Sequence, residues 1–170
     1  MGGPVAAVDV LCNTHDPKNM LRDIGRRVLH PKTRLPDTVF VRRVRAAVCA
    51  ALKAGERVIL VGHSYGGSVA VRVGEHFDCD GVRTDRLDIV TFGSIYMRSG
   101  LSNGIRLHQF SYANDIAKAC HRRAVGACDF VTTLPPTGKD GLRSHMAYQS
   151  YIDDIVRSGV VPPKKSGLPA

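Results

Sequence analysis

Val58-Ile59-Leu60-Val61-Gly62-His63-Ser64-Tyr65-Gly66-Gly67 is the stretch whose reading organises the rest of the chain. The apolar, β-branched run with Arg57 predicts a strand over 57–61, buried on both faces of a parallel sheet. A glycine-rich turn over 62–67 follows, and the spacing beyond it predicts a helix over 68–77. Between strand and helix stands Gly62-x-Ser64-x-Gly66. Composition alone yields about 0.1 copies of such a pattern by chance, so the flanking strand and helix carry most of its weight. In so tight a turn the residues two before and two after the serine, Gly62 and Gly66, are expected to have no room for a side chain.

Working outward, Val41, Val44, Val48, Ala51 and Leu52 recur at helical spacing and predict a helix over 37–54. Asp37 or Thr38 can cap it, Gly55 ends it, and its arginines are expected to face solvent. Met20, Leu21, Ile24 and Val28 predict a shorter helix over 19–28, behind a first strand over 5–11. Beyond the serine, 87–92 reads as a second buried strand and 105–112 as a third with alternating character. A last helix over 143–156 has Ser144 as its expected cap. Strands alternating with helices predict an α/β domain built on a mostly parallel sheet of four or five strands, its active site at their carboxyl ends.

A serine hydroxyl becomes a useful nucleophile when a histidine accepts its proton and a carboxylate orients that histidine. In strand–turn–helix sites of this kind the chain order is serine, acid, histidine. The acids after Ser64 considered for the role are Asp78, Asp80, Asp85, Asp88, Asp115, Asp129 and Asp140. Only Asp115 closely follows the carboxyl end of a predicted core strand. Of His76, His108, His121 and His145, the last two follow Asp115. His145 is preferred because a loop before the last helix can aim it at Ser64, whereas His121 adjoins Arg122 and Arg123 in a basic turn. The amide of Tyr65, at a helix N-terminus, is the expected oxyanion donor.

The chain resembles the class 3 (fungal-type) lipases. Their elbow is similar to Gly62-His63-Ser64-Tyr65-Gly66-Gly67-Ser68, and their next strand ends much as Val90-Thr91-Phe92-Gly93-Ser94 does. Tyr112-Ala113-Asn114-Asp115-Ile116 looks like the family's acid segment, and His145-Met146-Ala147-Tyr148-Gln149-Ser150-Tyr151 like its histidine segment. Upstream, Thr14 with Asn19-Met20-Leu21-Arg22-Asp23-Ile24 resembles in spacing the family's oxyanion residue and lid. The Pro, Gly and Lys content of 160–170 predicts a flexible tail, and the resemblance implies a minimal α/β-hydrolase-like single domain over 1–159. It implies a serine carboxylic ester hydrolase, a lipase, esterase or phospholipase, using Ser64, Asp115 and His145, with Tyr65 and Thr14 as the oxyanion hole. Cys12-Asn13, Met20 and Ile95 replace the family's Arg-Gly, lid tryptophan and proline. The short chain suggests a shallow site for small esters, while an apolar, basic rim at Met20, Leu21 and Arg22 would suit phospholipid. An acyltransferase and a catalytically silent binding module are the alternative readings.

Composition narrows the partners. The 170 residues carry 24 Lys and Arg against 15 Asp and Glu, a net charge of +9, scattered rather than blocked. With 6% aromatic residues and no zinc-finger or RNA-binding signature, nucleic acid is not the expected partner. The charge instead suits peripheral contact with an anionic lipid surface around an ester or lipid substrate. No apolar run approaches the roughly 20 residues of a membrane-crossing helix. Five cysteines without a C-x-x-C pair predict free, buried thiols rather than a disulfide framework or zinc site. No metal and no organic cofactor is expected. Oligomeric state is unknown from sequence. The absence of a visible signal peptide favours a cytoplasmic protein or one released from a longer precursor.

Overall fold

The computed structural model describes residues 38–75, 77, 79–94, 101, 104–116, 130–135 and 141–159. The first predicted strand and helix, Thr14, Met20, Ile95, His121 and the tail over 160–170 lie outside them. The described chain forms helix α1 (Val39–Lys53), strand β1 (Val58–His63), helix α2 (Tyr65–Gly74) and strand β2 (Leu87–Phe92). Strands β3 (Arg106–Tyr112) and β4 (Phe130–Leu134) and helices α3 (Gly141–His145) and α4 (Tyr148–Arg157) complete it. The four strands lie in the order β1-β2-β3-β4, all parallel, as an α/β architecture requires.

Helix α1 forms much as its periodicity predicts. Thr38 caps it, its Oγ1 accepting the Val41 amide at 3.2 Å, and Gly55, at φ +82°, ends it in a conformation open to glycine. Val41, Val44, Val48 and Leu52 are buried along one stripe. One arginine departs from expectation. Arg45 turns inward and donates to the carbonyls of Arg72, Val73 and Glu75, tying α1 to the unsatisfied carbonyl end of α2.

Two apolar layers sandwich the sheet. On one face the α1 stripe and Val69, Ala70, Val71 and Val73 of α2 pack with Leu87, Ile89 and Leu107. On the other, Val90, Phe92, Phe110 and Tyr112 pack against Tyr151 and Ile155 of α4. Strand β1 is less buried than its sequence predicts. Val61 is 51% exposed, because β1 edges the described sheet and the α4 layer covers β2 and β3. Strand β4 was not anticipated from sequence.

The carboxylate of Asp88, inside β2, is buried and takes hydrogen bonds from Arg57 before β1 (2.6 Å) and Arg106 of β3 (2.6 Å). One acid thereby links the starts of three strands. Burial pushes the Asp88 carboxyl up, but the Arg57 and Arg106 guanidinium groups outweigh it and hold it below its ordinary value.

Cysteine usage is a further correction. Cys49 of α1 and Cys79 after α2 form a disulfide, their Cα atoms 6.1 Å apart. An odd count left room for one bond, and these two of the five are not free thiols.

Candidate active site

The site is built at the carboxyl ends of β1, β2 and β3, with α3 and α4 brought against them. Register aligns His63 with Phe92 and Phe92 with Phe110, so the residues just beyond those strands emerge side by side. At the end of β1, Ser64 adopts φ 51°, ψ −120°, the one positive-φ non-glycine residue among those described. Such a conformation costs on the order of 1–3 kcal/mol and persists only where its surroundings enforce it. The Ser64 amide donates to the Phe92 carbonyl at 3.1 Å, and the Ser64 carbonyl accepts the Gly67 amide at 3.1 Å, fastening the turn at both sides.

The glycines explain how the chain can double back. A Cβ on Gly62 would meet Gly66 C at 2.6 Å and Gly67 Cα at 2.7 Å. A Cβ on Gly67 would fall 2.6 Å from Ser94 Cβ, whereas one on Gly66 would meet nothing within 4 Å. The expectation of no room therefore holds at Gly62 and fails at Gly66. Helix α2 already begins at Tyr65, so Gly66 points outward in the first turn and Gly67 faces Ser94, just beyond β2.

Three of the predicted side chains meet. Ser64 Oγ lies 3.0 Å from His145 Nε2, and His145 Nδ1 lies 2.9 Å from Asp115 Oδ1. A carboxylate only accepts, so His145 carries its proton on Nδ1 and leaves Nε2 to accept from the serine hydroxyl. The Asp115 side chain is fully buried three residues beyond β3, and its backbone amide is held by the Tyr112 carbonyl at 3.1 Å. The fourth residue, Tyr65, opens α2 beside Ser64, at the end of the helix where backbone N–H groups lack intrahelical acceptors. Thr14 lies outside the described residues.

The last helix differs from the sequence reading. It is broken at Met146 and Ala147 into α3 and α4, and Ser144 lies buried within α3 rather than capping a helix. The break frees His145 to point at Ser64 while α4 packs on the sheet.

Sequence reasoning missed three neighbours. Tyr151 of α4, fully buried, donates its hydroxyl to Asp115 Oδ2 and accepts the Tyr112 amide at 3.0 Å. His63 Nε2–H donates to the His145 carbonyl at 2.9 Å, with the two imidazole centroids 4.8 Å apart. Burial first, and the nearby His145 after it, push the His63 imidazole down to about 4, against the opposing pull of its hydrogen bond and Asp115. His63 is thus neutral at pH 7. Gly93, at φ +53°, lies beneath all three: a Cβ there would come within 3.0 Å of Asp115 Oδ2, 3.1 Å of His145 Nδ1 and 3.2 Å of His63 Nε2. The Phe92-Gly93-Ser94 block was the available signal for Gly93. His63 and Tyr151 stand within the elbow and histidine segments quoted above, but their partners lie 82 and 36 residues away, and local sequence does not reveal those contacts.

The sequence model of the alpha/beta hydrolase family matches residues 5–157. The chain belongs to the alpha/beta hydrolase family. The match covers the elbow, the strands beyond it and the histidine segment of this alpha/beta hydrolase, a family of generally hydrolytic enzymes. It lies at this broad level and does not single out the class 3 lipases. No curated protein and no solved structure shows a significant match. Among the described residues no cluster of ligands suited to a metal ion occurs, and no helix is long and apolar enough to cross a membrane.

Proposed function

We propose that this alpha/beta hydrolase is a lipase-like serine carboxylic ester hydrolase working through an acyl-enzyme. The observation that carries the reading is the unbroken hydrogen-bonded line from Ser64 through His145 to the buried Asp115. Ser64 Oγ attacks the ester carbonyl carbon as His145 Nε2 takes its proton, and Asp115 stabilises the resulting imidazolium. The tetrahedral oxyanion is held by the Tyr65 amide together with Thr14, donors worth about 3–4 kcal/mol of barrier each in comparable sites. Collapse breaks the ester C–O bond, and the alkoxide leaves with the proton from His145. Water then gives a proton to His145 and attacks the acyl carbon, which releases the acid and restores Ser64.

The substrate side is supported by what flanks these residues. Ile116, Leu142 and Met146 are each at least half exposed; Ile116 and Met146 adjoin Asp115 and His145 in the chain, and Leu142 lies three residues before His145. They offer an apolar rim to an acyl group, and the net charge of +9 suits an ester presented at an anionic lipid surface.

A fluorophosphonate probe tests the assignment directly. Mass spectrometry is expected to find the adduct on Ser64, with labelling collapsing in Asp115→Asn and His145→Ala. A folded Ser64→Ala protein that still hydrolyses esters at the wild-type rate would refute the reading.

A further inference from the structure

We propose that Tyr151 is a positioning residue of this site, fixing which oxygen of Asp115 serves His145. The inference rests on the Ser64–His145–Asp115 reading and extends it to a residue outside that set. A carboxylate has two equivalent oxygens and can rotate about its last bond, so one hydrogen bond to His145 does not hold its plane. Here Oδ1 faces His145 Nδ1–H at 2.9 Å while Oδ2 accepts the Tyr151 hydroxyl. The hydroxyl is itself held, because its oxygen accepts the Tyr112 amide at 3.0 Å. That amide polarises the O–H and strengthens it as a donor.

The ring has no freedom to leave. Tyr151 is 0% exposed, its centroid 4.2 Å from that of Tyr112 and 5.3 Å from that of Phe92. Burial, and then the bond to Asp115, raise the phenol above its ordinary value, so it stays a donor throughout the neutral range. Tyr151 also draws negative charge from Asp115 toward Oδ2 and moderates the pull of the carboxylate on the His145 proton. Among the described residues, the groups against His145 are Ser64 and His63 from the β1 side and Asp115 from beyond β3, and Arg143 stands two residues before it on α3. Asp154 pairs with the Tyr112 hydroxyl, at 2.9 Å, and with Arg157.

The test needs no known substrate. The rate of fluorophosphonate labelling at Ser64, which forms the O–P bond, expels fluoride and passes the serine proton to His145, is measured against pH. In Tyr151→Phe the maximal rate is expected to fall roughly tenfold, the loss of one hydrogen bond to a charged group, with the probe's KI unchanged. The acidic limb of the profile is expected to move to higher pH, because the full carboxylate charge returns to His145. In an Asp115→Asn background the same substitution is expected to add nothing. A purely structural tyrosine would lower the melting temperature and leave the limb in place.

Labelling of Tyr151→Phe with wild-type rate and profile overturns the role of Tyr151 and leaves the Ser64 reading intact; so does an undiminished loss on top of Asp115→Asn. If Tyr151→Phe does not fold, 3-fluorotyrosine at position 151 decides. It keeps ring and hydroxyl and is a stronger donor, so the limb is expected to move to lower pH, and an unmoved limb overturns the proposal. Absence of Ser64 labelling in the wild type removes the reading and this proposal together.

Discussion

His63 makes stability depend on pH in a window where few side chains titrate. Its imidazole is held neutral, pushed down from 6.5 to about 4, mainly by burial. In the unfolded chain it takes a proton below about 6.5. Between those values the unfolded state binds the extra proton, so stability rises with pH there. The contribution is complete above pH 6.5, is lost progressively as pH falls, and changes no further below about 4. At roughly 1.4 kcal/mol per pH unit the full interval amounts to about 3 kcal/mol. The ring keeps partial solvent contact, and screening lowers the expected loss between pH 7 and pH 4.5 to about 2 kcal/mol. His63→Gln isolates the effect, since the Gln amide can donate to the His145 carbonyl as Nε2–H does but does not titrate. Urea denaturation of both proteins at several pH values measures it. The variant is expected within about 1 kcal/mol of the wild type at pH 7, where only one neutral hydrogen bond is exchanged, and to overtake it as pH falls. Parallel stability curves from pH 7 to 4.5 would refute the reasoning.

Gly67→Ala is expected to destabilise by about 1–3 kcal/mol, because its Cβ would overlap Ser94, while Gly66→Ala is expected to be neutral or slightly stabilising; equal thermal melting of the two would contradict the geometry of the turn. Reducing Cys49–Cys79, or replacing both with Ser, opens a link across 30 residues and is expected to cost up to about 4 kcal/mol on a chain-entropy view, read as a lowered urea midpoint; an unmoved midpoint would show that the bond constrains little. Asp88→Asn removes a charged acceptor from two arginines that are about half exposed, for an expected loss of about 2 kcal/mol at pH 7 by chemical denaturation. That contribution is present above the ordinary carboxylate range and is lost as pH falls through the depressed value of Asp88, so the variant and wild type are expected to converge in acid.

What the sequence determined by itself was the part encoded locally. The apolar stripe of α1 reads as a helix because 3.6-residue periodicity is the geometry of burial on one side. The elbow reads as a strand–turn–helix because a β-branched run and closely spaced glycines admit few other conformations. The α/β class follows from the alternation of such segments, and the family match agrees with it. The order serine, acid, histidine, with the place of Asp115 after a strand and of His145 before the last helix, selected these two residues, and the structure sets His145 between Ser64 and Asp115.

Tertiary structure decided whatever depends on residues far apart in the chain. Which of the two glycines after Ser64 is tight is set by Ser94, two residues beyond β2, and so Gly67 rather than Gly66 lacks room. Arg45 turns inward because α2 presents unsatisfied carbonyls to it, and Cys49 finds Cys79 because α1 packs beside α2. The break at Met146 and Ala147 has the same origin. In one continuous helix His145 and Tyr151 would stand about 120° apart around the axis, yet both reach Asp115, so the helix is interrupted between them. Periodicity describes a segment's preference for one buried side. It carries no information about a carboxylate 30 residues away that two side chains must share.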